Sequence, residues 1–146
     1  MAVATGLKVK LFHVKPHGAL YNRAATDRET ADAVIVAIKN TELALVALAG
    51  SPLAGWAREA GLVVLEEAFA DRRYLQNGQL APRSQPDALL ETPAQVVAQA
   101  LAIVRGEPIV TLDGGSLLLR ADTLCLHDDA PGAAQRASAV ALALRA

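Results

Sequence analysis

Over residues 7–14, LKVKLFHV, Leu7, Val9 and Leu11 alternate with Lys8, Lys10 and Phe12. A period of two predicts a strand. The pattern then turns helical. Thr26-Asp27-Arg28-Glu29 reads as a capping box ahead of Ala31, Val34, Ile35 and Ile38, with Asn40 as the stop. Residues 43–49 form a short continuous apolar run, as in a strand covered on both faces. Ser51-Pro52 reads as an N-cap followed by a first-turn proline, and Gly61 as the end of that helix. Residues 62–65 predict another buried strand. Thr92-Pro93-Ala94-Gln95 repeats the cap grammar before an apolar stripe of Val97, Ala100, Leu101 and Val104, closed by Gly106. Residues 109–112 and 117–119, around Asp113-Gly114, predict a hairpin. Residues 123–126 predict a last strand, and the alanine-rich stretch from Pro131 onward a last helix.

Strand and helix therefore alternate, which predicts an α/β fold with parallel strands in a single domain over residues 1–146. Residues 66–91 stand apart. They hold charges, prolines and Asn77-Gly78, and they are too long for an idle connection, so function or ordering by a partner is expected there.

Composition narrows the class. Of 146 residues, 53% are hydrophobic but only 3% aromatic, so the core must be built from Ala, Leu and Val. Fourteen basic residues against 15 acidic ones leave a net charge of -1, which argues against nucleic acid or an anionic membrane as partner. One cysteine, Cys125, excludes a disulfide framework and fits a reducing compartment. No signal-peptide core and no apolar run of membrane-spanning length is present, so a soluble cytoplasmic protein is expected.

Candidate chemistry collects where strands end, which is where α/β folds bind ligands. Lys15 and His17 follow the first strand and Gly50-Ser51 the second. Glu66, Glu67, Asp71 and Arg72 follow the third, and His127, Asp128 and Asp129 the last. His13 reads as a packed strand residue and Cys125 as an inert core residue. His17 is an N-cap or surface histidine, or a proton carrier. Lys15 is a solvated strand-end charge, or a point charge for a carboxylate or phosphate. Gly50-Ser51 is a cap, or a set of N–H groups for an anion. Asp71-Arg72 reads as a loop ion pair. His127 and Asp129 read as base and orienter, unless Asp129 caps the final helix. No G-x-x-x-x-G-K-[ST], strand-flanked G-x-G-x-x-G, H-x-x-x-H or C-x-x-C occurs, so neither a phosphate loop nor a metal site follows from local spacing.

VKPHGALYN at 14–22 resembles the signature of the LamB/YcsF family, that of the 5-oxoprolinase A subunit. LAGS at 48–51, EAFADRRY at 67–74, G-x-L-x-x-R at 78–83 and ADTLCLHDDAPGA at 121–133 continue the likeness in family order. The resemblance implies a partial, distorted (β/α) barrel related to glycoside hydrolases and sugar deacetylases. It implies ATP-dependent opening of 5-oxoproline to L-glutamate, with hydrolysis of ATP to ADP and phosphate and with two further subunits. It implies catalytic roles for Lys15, His17, His127 and Asp129, and substrate contacts from Gly18, Tyr21, Asn22, Gly50, Ser51, Asp71 and Arg72. No metal ligand is implied.

Two departures from the family pattern carry expectations of their own. Family chains begin upstream of this Met1, with an Asp-Asn-Asp strand and His-containing loops, so this chain reads as the C-terminal three-fifths. On that reading it is inactive alone and self-associates through the edge near residues 7–14. Where the family reads His-Gly-Asp-Thr-Pro, this chain reads His127-Asp128-Asp129-Ala130-Pro131. Ala130 then removes an expected N-cap, and Asp128 is tolerable only in an ordinary backbone conformation. Two other readings compete with the lactam-opening enzyme: a metal-dependent amide or carbohydrate deacetylase, and a binding or assembly module.

Overall fold

The apolar run at residues 43–49 folds as β2 (Ala44–Leu48), buried from Leu45 to Leu48. It pairs in parallel with β1 (His13–Val14), His13 opposite Ala44 and Val14 opposite Leu45. These strands come from the computed structural model, which describes residues 10–146. Strand pairing over the predicted 7–14 stretch is confined to His13 and Val14 among the described residues, and Leu7, Lys8 and Val9 lie outside them. His13 is exposed rather than packed.

The chain divides into two units. The first holds the residues up to Leu48 together with Pro52–Leu65, and the second holds Ala49–Ser51 with Glu66–Ala146. In the first unit α1 (Gly18–Ala24), α2 (Arg28–Ile38) and α3 (Pro52–Glu59) surround an aliphatic core that includes Ala31, Ile35, Leu45, Leu53 and Val64. The sequence reading misses α1, whose Tyr21 and Ala24 are buried at i,i+3 spacing. It also places the cap of α2 one residue early. Asp27, not Thr26, is the N-cap, and its carboxylate accepts from the Thr30 N–H at 3.1 Å. The shift is chemically small, since both side chains cap well.

β3 (Val64–Phe69) runs through both units and is longer than predicted. Glu66 and Glu67 belong to the strand and not to the loop after it. Its first residues follow Val63, whose carbonyl accepts from the Leu45 N–H at 2.8 Å. Its last residues pair in parallel with β6 (Thr123–Cys125), Phe69 opposite Cys125. The parallel strands thus follow the order β1-β2-β3-β6. Cys125 is half-buried in β6.

The second unit adds α4 (Pro93–Arg105), an antiparallel hairpin of β4 (Ile109–Val110) and β5 (Ser116–Leu117), and α5 (Ala133–Ala143). α4 has the expected capping box of Thr92 with Gln95 and ends on Gly106 at φ 66. Its buried face is one residue out from the predicted stripe. Val96, Gln99, Ala100 and Ile103 are buried, while Val104 is exposed. Gln99 explains the offset, because a polar residue on the inner face hides that face from a hydrophobicity reading.

Gln99 also orders the long segment after β3. Its amide nitrogen donates to the carbonyls of Phe69 at 2.8 Å and Arg72 at 2.7 Å, with Ala70 at 3.3 Å. Tyr74 is fully buried, and its hydroxyl accepts from the Phe69 N–H at 2.7 Å. Backbone bridges join Arg72 to Leu89 and Tyr74 to Leu80. The chain itself holds this segment in place.

α5 starts from Gly132, which is the N-cap at φ 77, with no side-chain cap bond. An oxygen at position 130 would therefore not cap α5, contrary to the expectation for Ala130. Asp128 is not among the described residues of positive φ, so the aspartate sits there without backbone strain.

Candidate functional site

In the first unit, Lys15 directly follows β1 and is half-buried, its ammonium 5.4 Å from the ring centroid of the buried Tyr21. This is a cation–π distance. His17 is exposed and is the N-cap of α1 by backbone, with φ -126 and ψ 156, but its ring caps nothing. Gly18 opens that helix at φ 59, a conformation that favours glycine. Asn22 is exposed and its side-chain amide donates to the Gly18 carbonyl at 3.4 Å.

In the second unit, Gly50 takes φ 70 and its N–H donates to the Glu66 carboxylate at 2.6 Å. The anion at this turn is thus one of the protein's own side chains. Ser51 beside it is buried.

The chemistry of the second unit centres on His127. Asp71 follows β3 and His127 follows β6, so the pairing of Phe69 with Cys125 brings the two loops together. The Asp71 carboxylate accepts from the His127 backbone N–H at 2.8 Å, and both its oxygens lie 3.1 Å from His127 Nδ1. The His127 ring stacks on Phe69, with centroids 5.3 Å apart and planes 18° from parallel. Asp71 is buried, whereas the His127 side chain is 25% exposed. A carboxylate at Nδ1 selects the tautomer with its proton there, leaving Nε2 as the basic nitrogen.

These contacts correct two readings. Asp71 and Arg72 are not an ion pair. Asp71 faces His127, while Arg72 donates to the Ala81 carbonyl at 2.6 Å and leaves its Nε without a partner. Burial, and then the neighbouring Arg83 charge, push the Arg72 guanidinium below its usual range. Nor is Asp129 the orienter of His127. Asp129 binds Arg83 at 2.7 Å, and that bond holds its carboxyl below the usual carboxylate range. Asp71 takes the orienting role.

His127, Asp71, Arg83, Asp129, Glu91 and Arg136 line one cavity of about 470 Å³ within the second unit, together with Leu90 and Pro131. The sequence reading did not single out Arg136 or Phe69. The available signal for Arg136 was a lone arginine four residues before Val140 on the inner face of an alanine-rich helix. No group of three His, Cys, Asp or Glu placed to hold a metal ion occurs among the described residues. No helix among them is long and apolar enough to cross a membrane.

The sequence model of the LamB/YcsF family matches residues 1–146, and the chain belongs to that family. It is 52% identical over 145 residues to a protein of Syntrophobacter fumaroxidans named as the A subunit of 5-oxoprolinase, covering 98% of this chain and 57% of that one. It is 49% identical over 136 residues to a Thermus thermophilus protein of the same name, covering 92% of this chain and 54% of the relative. The crystal structure of a lactam utilization protein from Thermus thermophilus superposes with a TM-score of 0.88 at 46% identity, over 99% of this chain and 58% of that one. The chain thus spans somewhat more than half the length of the relatives it matches, and the α/β fold of parallel strands is theirs.

Proposed function

We propose that this chain carries the histidine–aspartate part of the active site of a 5-oxoprolinase A subunit, an enzyme component that opens 5-oxoproline to L-glutamate. The Asp71–His127 pair at the cavity supports this reading most directly, and the names of relatives at about half identity support the substrate.

Opening a lactam breaks one C–N bond and adds one water. His127 Nε2 takes a proton from that water as its oxygen adds to the lactam carbonyl carbon. Asp71 stabilises the imidazolium formed and keeps the ring in orientation, as the third member of a triad does. The same proton then passes to the departing ring nitrogen, which becomes the amine of glutamate. Phe69 limits rotation of the ring by stacking. Lys15 and His17 are proposed, from the family signature, as a polarising charge and a proton carrier. ATP and two further subunits come to this reading from the resemblance and from the relatives' names, which describe one component of a larger enzyme. The sequence has no glycine-rich phosphate loop, the described residues form no evident triphosphate cradle, and no step is derived through the nucleotide.

The test is a coupled assay for glutamate and phosphate. It is run with this chain alone, with two partner subunits from a relative, and with those subunits plus the part of a relative's chain outside the matched region. Turnover is expected in the last arm, falling about a hundredfold or more in His127→Gln, the usual scale of a general base. Turnover that survives His127→Gln unchanged, or none in any arm, overturns the reading.

A further inference from the structure

Arg136 is a buried cation with no carboxylate to balance it. It lies in the first turn of α5, is only 6% exposed, and lines the same cavity as His127. Its Nη1 donates to the Pro131 carbonyl at 2.7 Å and to the Glu91 carbonyl at 3.4 Å. Those oxygens satisfy hydrogen bonds but carry no net charge. The cavity's other carboxylates are engaged elsewhere, Asp71 by His127 and Asp129 by Arg83. Glu91 meets Arg136 through its backbone only, and Arg136 makes no ion pair among the described residues.

A guanidinium does not shed its proton at any working pH, so this charge is permanent. Burying it without a counter-charge is costly. Its position in the first turn of a helix adds to the cost, because the helix dipole is positive there. Packing alone does not account for it, since an aliphatic residue would fill the same inner face beside Val140 without that penalty. The glycine before the helix keeps one side of the group open: a Cβ on Gly132 would stand 3.3 Å from Nη1. An incoming oxyanion reverses the sign of every one of these costs.

We infer that Arg136 is the receptor for a small oxyanion in the His127 cavity. Under the lactam-opening reading, on which this identification of the ligand rests, the oxyanion is the carboxylate of 5-oxoproline. The planar fork suits a carboxylate, and held there it would fix the ring for the base.

The experiment titrates the full 146-residue chain by calorimetry with 5-oxoproline, with 2-pyrrolidinone (the same ring without the carboxylate) and with inorganic phosphate. It compares wild type, Arg136→Lys and Arg136→Met, with circular dichroism to confirm the fold. Arg136→Met is expected to weaken 5-oxoproline about tenfold or more, the scale of a lost charge-assisted pair. Arg136→Lys should fall between, and 2-pyrrolidinone should be indifferent to both. Equal affinity of wild type and Arg136→Met for 5-oxoproline overturns the receptor and leaves the lactam reading standing. Arg136-dependent phosphate binding without 5-oxoproline binding keeps the receptor and overturns the lactam reading. Binding of neither anion by wild type overturns the receptor. Should Arg136→Met unfold, Glu91→Gln carries the test. Removing that rim charge is expected to tighten the anion about threefold through a weaker opposing field, and an unchanged affinity overturns the proposal.

Discussion

Asp71 grips His127 twice, through the backbone N–H at 2.8 Å and through ring Nδ1 at 3.1 Å. The double contact fixes both where the loop after β6 begins and how the imidazole is turned. Asp71→Ala is expected to release the ring and leave the His127 N–H without its partner. Loss of that bond should destabilise the fold by about 1–3 kcal/mol, read from urea unfolding. Nitrogen NMR of the neutral ring should show the Nδ1–H tautomer in wild type and a mixture in Asp71→Ala. A wild-type ring protonated at Nε2 would contradict the assignment of Nε2 as base.

Gln99 is the internal clamp of the segment after β3. Gln99→Leu keeps much of the volume but strips the carbonyls of Phe69 and Arg72 of their donor. A loss of about 2–4 kcal/mol is expected from two buried acceptors left unmet. Hydrogen exchange should rise first in residues 70–91. A uniform rise across the chain with unchanged local order would show that α4 does not clamp this segment.

The buried hydroxyl of Tyr74 resists ionisation. Burial raises its pKa well above the ordinary 10.0. The folded chain therefore holds this proton where the unfolded chain has released it. Its contribution to stability is complete below pH 10.0 and is lost as pH rises toward the folded value. Alkaline titration followed by phenolate absorbance should show Tyr74 ionising only with unfolding, and Tyr74→Phe should remove that component of alkaline instability.

The Arg83–Asp129 pair sets an acid limit at the cavity rim. Its hydrogen bond lowers the Asp129 pKa from 3.8. The unfolded state binds the proton first as pH falls, so the pair's contribution is complete above pH 3.8 and is lost as pH drops through the lower folded value. Both side chains are about half exposed, and the effect on global stability is accordingly small. Carbon NMR of the Asp129 carboxyl should show a depressed midpoint that returns to the ordinary range in Arg83→Gln.

Much of the fold was legible because its signals are local. The capping box of Thr92 with Gln95, the Gly106 stop, the Asp113-Gly114 hairpin and the apolar run of β2 each lie within a few residues of the structure they specify. The alternation of strand and helix, and hence the α/β class, follows from such signals. So does the placing of Asp71 and His127 beyond strand ends. What the sequence by itself left open was which partner each charged group takes. Asp71 neighbours Arg72 and His127 neighbours Asp129 within two residues, and proximity in the chain favours those pairs. The parallel pairing of β3 with β6 instead joins residues 56 apart, giving Asp71 to His127, and the segment after β3 gives Asp129 to Arg83. The inner faces of α4 and α5 were hidden for a related reason. Each carries a polar residue, Gln99 or Arg136, whose burial depends on carbonyls supplied by other segments of the chain. A hydrophobic period records transfer from water, whereas these residues are buried by hydrogen bonds that exist only after the segments have met.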